Sequence, residues 1–125
     1  MIIVNVSNHS PDTWTQGQRD ACKNLPILNI PFPYVDAEWG KPEIERLADR
    51  LVEKILHDLT ERLGRPPEKG TAVHVMGEYT LTHNLVIRLK KMGFKTIAST
   101  TRRETAVGLD GKKKREFKFV RFREY

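Results

Sequence analysis

The chain has 125 residues, 38% hydrophobic and 30% charged, with a net charge of +6, which is enough for one domain with its own core and too little for two. No apolar run approaches the eighteen residues of a membrane span, Met1–Val6 is too short for a signal peptide, and Cys22 has no second cysteine with which to form an internal disulfide. The expectation is a single cytoplasmic domain over residues 1–125, with Cys22 as a small buried residue.

In chain order, the β-branched Met1–Val6 predicts a buried first strand that ends in the polar loop Ser7–Pro11. Asp12 or Thr13 is placed to cap a helix over Trp14–Lys23, which Gly17 weakens. A short second strand, Pro26–Ile30, breaks at Pro31-Phe32-Pro33. The clearest helix is Pro42–Leu63, where Ile44, Leu47, Ala48, Leu51, Val52, Ile55, Leu56, Leu59 and Leu63 recur at spacings of three and four opposite a charged face. Pro42 suits its start, and Gly64 before Pro66-Pro67 ends it.

A third strand around Val73–Met76 stops at Gly77, and a helix with Leu81, Leu85, Val86 and Leu89 on one face follows. A fourth strand, Lys95–Thr100, comes next. Asp110-Gly111, between Glu104–Leu109 and Arg115–Phe122, signals a hairpin. Residues 88–125 carry 13 Lys/Arg against 4 Asp/Glu, and Lys112–Arg115 is expected at the hairpin tip as a solvated run or edge protection. The order implies an α/β, Rossmann-like three-layer sandwich: a mainly parallel sheet of about six strands closed by a C-terminal antiparallel β-hairpin.

In such a sheet, ligands bind beyond the carboxyl ends of the strands where the strand order reverses. If the order begins 2-1-3-4, that point joins the loops after the first and third strands. The first offers Asn5, Ser7, Asn8 and His9; the second offers Gly77, Glu78, Tyr79, Thr80, Thr82 and His83; the fourth strand adds Ser99, Thr100, Thr101, Arg102 and Arg103. Pro31–Tyr34 would form an aromatic wall. Hydroxyls, imidazole, arginine and helix N-terminal amides together suit a phosphodiester or another oxyanion. Thr80 serves equally as a helix cap. His74, alternating with Val73 and Val75, reads as a hydrogen-bonded interior histidine, and His57 as a surface residue. Gly77 stands alone rather than in a dinucleotide or triphosphate fingerprint. The four histidines lack metal-ligand spacing, so no metal and no cofactor is expected.

Met76–Lys90, Ala98–Arg103, the Asn5–His9 loop and the ending Phe119–Tyr125 resemble the small stand-alone CRISPR-associated proteins built on the CARF type of Rossmann fold. The resemblance implies a homodimer that binds cyclic oligoadenylate across its two-fold axis. It also implies the ring-nuclease class, nucleotide-binding hydrolases or lyases that switch off type III CRISPR signalling in antiviral defence. Glu78 departs from simple phosphate capture, because a carboxylate repels phosphate unless it meets an amino group, a hydroxyl or an arginine.

A ribose 2′-hydroxyl can attack the adjacent phosphorus and expel the 5′-oxygen without metal if geometry and charge are managed by the protein. His83 or His9 would move protons, and Arg102, Arg103, Thr80 and the helix amides would stabilise the charge. Cyclic tetra-adenylate is the expected ligand, with no membrane and no stable DNA or protein partner. The competing readings are a non-catalytic sensor or sponge for the same ligand and a nucleic-acid or protein interaction module.

Overall fold

The computed structural model describes residues 1–125: β1 (Ile3–Ser7), a 3-10 turn (Pro11–Thr13), α1 (Gln16–Ala21), β2 (Ile27–Asn29), α2 (Lys41–Leu63), β3 (Ala72–Met76), α3 (Tyr79–Lys91), β4 (Lys95–Val107) and β5 (Lys113–Glu124). The five strands form one sheet in the order β2-β1-β3-β4-β5. β1 therefore lies beside β3, and the reversal of strand order falls between them. The α/β class and the antiparallel C-terminal hairpin agree with the sequence pattern.

Two expectations about the sheet are corrected. It has five strands rather than six, because Lys95–Thr100 and the first arm of the hairpin are one strand. No glycine or proline interrupts Thr101–Glu104, and a bulge between Thr100 and Thr101 absorbs the irregularity. The Thr100 hydroxyl closes that bulge, donating to the Arg121 carbonyl (3.0 Å) and accepting from the Arg121 amide (3.2 Å). The sheet is also mixed rather than mainly parallel. Its parallel ladders hold three, five and three residue pairs, against eleven in the antiparallel β4–β5 ladder. Lys112 lies in the turn, but Lys113–Arg115 belong to β5, so the basic run lines the end of an edge strand instead of capping a loop.

The layers are unequal. α2 and α3 cover the face that carries Val4, Val6, Val73 and Val75, and they bury Ile55, Leu59, Leu81, Leu85 and Leu89 against it. Each of these side chains contributes about 1.5–3 kcal/mol by leaving water. The other face holds Ile3, Trp14 and Cys22 with Leu25, Ile27, Ala72 and Phe122 around them, and its cover is thin: the short α1 and the residues on either side of it, from Trp14 to Leu25.

α1 is shorter than expected because Thr15, not Asp12 or Thr13, is its cap. Thr15 accepts from the Gln18 amide, and Gln18 returns a side-chain acceptor to the Thr15 amide. Trp14 is thereby left in extended backbone with its ring turned inward. α2 starts with Glu43 accepting from the Gly40 amide at 3.0 Å and ends at Gly64, whose φ of 68° is the left-handed turn that glycine takes without a Cβ clash.

Candidate functional site

Period-two alternation sends Asn5 and Ser7 of β1 to the sheet face opposite Val4 and Val6. Asn5 is in register with Asn29 on β2 and with His74 on β3. Ser99 lies two residues beyond Ile97, the partner of His74 on β4, and so shares that face. The result is a polar row across four strands. Asn5 Nδ2 donates to Asn29 Oδ1 (3.0 Å) and to the His9 carbonyl (3.0 Å). Asn5 Oδ1 lies 2.8 Å from His74 Nδ1, and His74 Nε2 lies 2.8 Å from Ser99 Oγ.

The proton positions in this row follow from the backbone. A carbonyl accepts only, so the His9 carbonyl requires the Asn5 amide nitrogen, which turns Asn5 Oδ1 toward His74. Nδ1 must then carry the ring proton, and Nε2 accepts from the Ser99 hydroxyl. Burial favours the uncharged ring, and the neighbouring His9 adds to this, so that the His74 pKa falls from its ordinary value of 6.5 to about 4. Trp14 and Phe122 pack edge-on against the ring at centroid distances of 5.3 and 5.6 Å.

β3 and β4 separate beyond this point. Their ladder ends at His74–Ile97, after which the Ser99 amide meets Met76 Sδ at 3.2 Å and the Tyr125 hydroxyl donates to the Val75 carbonyl. The opening leaves a cavity of about 390 Å3 beside α1, lined by His9, Trp14, Gln18, His74, Met76, Ser99, Thr101, Phe117 and Phe119 among others. Arg103 sits directly opposite Phe117, one of the lining residues, with its guanidinium 5.9 Å from the ring centre.

The structure thus brings His9, Ser99 and Thr101 to one cavity, with Arg103 over its Phe117. Asn5 and Ser7, expected in a loop, are instead buried in β1 and act behind the cavity wall. The Ser7 hydroxyl lies 2.9 Å from Asn5 Oδ1 and 3.0 Å from the His9 carbonyl, and it accepts from the His9 amide, so it shapes the loop. Asn8 is exposed, with its amide donating to the Met76 carbonyl. Arg102 alternates to the opposite side of β4, across from Lys118. Thr100 is occupied by the bulge.

The loop after β3 forms a separate region. Tyr79, Thr82 and His83 line a cavity of about 340 Å3 with Met76, Gly77, Val86 and Tyr125. A neighbouring one of about 420 Å3 adds Trp39, Lys41, Thr80 and Asn84. Met76 borders both this region and the His9 cavity, but His83 and His9 line no common cavity.

The Thr80 and Leu81 amides in the first turn of α3 are not free. Glu78 is its cap: one carboxylate oxygen accepts from the Thr80 amide (3.0 Å), the other from the Leu81 amide (2.8 Å), and the Thr80 hydroxyl lies 2.7 Å from both. Partial burial pushes the Glu78 carboxyl up, but bonds from the Leu81 amide, the Thr80 hydroxyl and the Thr80 amide outweigh it and hold the carboxyl below its ordinary range. Thr80 is accordingly a donor to the cap rather than the cap itself. Gly77 has a packing role, since a Cβ there would lie 2.4 Å from the ring of Phe32. Phe32 is therefore committed to the protein, while Tyr34 and Tyr79 remain exposed. His57 is a surface residue 3.6 Å from Glu61.

Sequence reasoning placed His74 in the interior with hydrogen bonds, as observed, but not at the wall of the cavity. It also passed over Trp14, Gln18, Phe117 and Phe119. A usable signal was present: Asn5 and His74 are the polar interruptions in two apolar strands, and neighbouring parallel strands set such positions side by side.

Residues 1–123 match the family described as "Uncharacterized protein MJ1673 family". No curated protein and no solved structure matches the chain.

Proposed function

We propose, for a chain that belongs to the MJ1673 family and takes no activity from that family's description, that it binds a cyclic oligoadenylate across a homodimer and cleaves it through attack by a ribose 2′-hydroxyl. The observation that carries this reading is the His9–Ser99–Thr101 cavity beyond the carboxyl ends of β1 and β3 and beside the middle of β4, with Arg103 over Phe117 of its lining. The place matches the ligand position of open α/β sheets, and the groups match a phosphodiester. The resemblance of Met76–Lys90 and Ala98–Arg103 to CARF-type proteins names the ligand class.

His9 is the exposed imidazole of the cavity, and it supplies a proton to the departing 5′-oxygen. Arg103 offsets charge that develops on phosphorus-bound oxygens. His83 and Tyr79 stand on the adjoining cavity, where they suit a second nucleotide of the ring, with the exposed Tyr79 ring as a stacking surface. Arg102 lies off both cavities and is assigned to long-range attraction of the polyanion.

The test is chromatography of cyclic tetra-adenylate after incubation with the protein. Linear products ending in 2′,3′-cyclic phosphate are expected, and cleavage is expected to survive excess EDTA, since no group of three or more His, Cys, Asp or Glu side chains comes together. Unchanged ligand that co-elutes with the protein would replace cleavage with sequestration, a reading favoured by His83 and His9 lining no common cavity. No interaction at all would reject the ligand.

A further inference from the structure

We propose that Ser99, His74 and Asn5 form a proton relay, with the Ser99 hydroxyl as its outward end, and that this relay is the general base for the 2′-hydroxyl. The inference rests on the cleavage reading above and deepens it by naming the group that removes the proton.

The relay is complete in the fold. Ser99 Oγ, at 2.8 Å from His74 Nε2, makes no other hydrogen bond. Its lone pairs therefore face the cavity and are free to accept from a substrate hydroxyl. His74 Nδ1 donates to Asn5 Oδ1 at 2.8 Å, and Asn5 is held by two bonds of its own to Asn29 and the His9 carbonyl. The ring can therefore neither rotate nor change tautomer without breaking the row. A nucleophile or hydroxyl partner, a base and a fixed orienting group within hydrogen-bond reach of one another are the arrangement that proton abstraction needs.

The electrostatics divide the two imidazoles between two roles. His74 is kept neutral and able to accept, whereas His9 stands in solvent as the donor. No carboxylate intervenes: β1 faces the His74 ring with Asn5 and Ser7, β4 with Ser99, β5 with Phe122, and the segment before α1 with Trp14 and His9. A phosphate in the cavity stabilises the imidazolium and raises the basicity of His74 when substrate is present.

In the step, the 2′-oxygen bonds to phosphorus while its proton passes to Ser99 Oγ and the Ser99 proton passes to His74 Nε2. The bond from phosphorus to the 5′-oxygen breaks, and that oxygen takes a proton from the His9 imidazolium. The products are a 2′,3′-cyclic phosphate and a 5′-hydroxyl, and solvent exchange restores both imidazoles. Ser99 touches the substrate; His74 and Asn5 act through it as positioning residues.

The experiment is single-turnover cleavage of cyclic tetra-adenylate across pH 4–8, with equilibrium binding, for wild type, Ser99→Ala, Asn5→Asp and, as a control on the hairpin, Lys113→Ala. Ser99→Ala is expected to lower the rate about 100-fold with binding retained. Asn5→Asp places a carboxylate against Nδ1 and is expected to move the acid limb of the rate profile up by about one pH unit or more. Lys113→Ala keeps the wild-type rate. Wild-type cleavage with Ser99→Ala within about threefold of it overturns the relay and leaves the cleavage reading standing. An unmoved acid limb in Asn5→Asp removes His74 as the acceptor even if Ser99→Ala misfolds. A wild-type protein that does not cleave overturns the cleavage reading, and the relay falls with it.

Discussion

His74 is a buried imidazole whose stability contribution has a definite pH dependence. Its folded pKa of about 4 lies below the ordinary 6.5, so the unfolded chain takes up a proton first as the pH falls. The contribution is fully present above pH 6.5 and is lost between 6.5 and 4. A gap of that size corresponds to about 3 kcal/mol. Denaturant unfolding of wild type and His74→Gln is expected to show the wild-type advantage shrinking by roughly that amount from pH 7 to pH 4. Parallel pH profiles for the two proteins would contradict the account. Gly77 makes the complementary case for packing. With a Cβ only 2.4 Å from the Phe32 ring, Gly77→Ala must move either the ring or the β3–α3 junction. The expected cost is about 1–3 kcal/mol, read as a shift of the urea midpoint with unchanged slope.

Among the elements, α3 shows how a local choice changes the chemistry of a site. A helix N-terminus attracts anions, but here Glu78 occupies the first-turn amides with the protein's own carboxylate. Glu78→Ala is expected to destabilise the protein by about 1 kcal/mol as a lost cap and to lower the melting temperature at neutral pH. An unchanged melting temperature would show that the cap is dispensable. The β4–β5 hairpin shows a different effect. The extra residue of the bulge is Val120 on β5, so Phe117 and Phe119 come to the same side as Phe122, while β4 alternates without a break and sets Thr101 and Arg103 on the face of Ser99 and Arg102 on the other. The paired arginines of the sequence therefore belong to opposite surfaces.

For the molecule as a whole, the uneven layers matter most. Two long helices seal one face of the sheet, while the other is covered only by the short α1 segment and its flanks and retains a second cavity of about 740 Å3 toward the strand starts, lined in part by Ile3, Cys22, Leu25, Ile97 and Phe122. The His9 cavity, at about 390 Å3, is too small for a four-nucleotide ring, which favours two copies sharing one ligand around a two-fold axis. Sedimentation at micromolar concentration is expected to give a dimer. A monomer both with and without cyclic tetra-adenylate would reject the shared site. No helix is long and apolar enough to cross a membrane.

Periodicity alone was sufficient for the elements whose burial is one-sided or complete: α2, α3, β1 and β3 were legible because apolar spacing reports which side of a helix or strand meets the core. The hairpin followed from Asp110-Gly111, whereas the order 2-1-3-4 entered only as a condition and was decided by the ladders. The merging of two predicted strands into β4 was not legible, because no residue type announces a bulge without a glycine. Nor was the relay. Asn5, His74 and Ser99 are separated by 69 and 25 positions, and only the ladder register decides that they face one another. Sequence spacing carries the periodicity of one element, whereas hydrogen-bonded partners on different strands are chosen by the packing that aligns those strands.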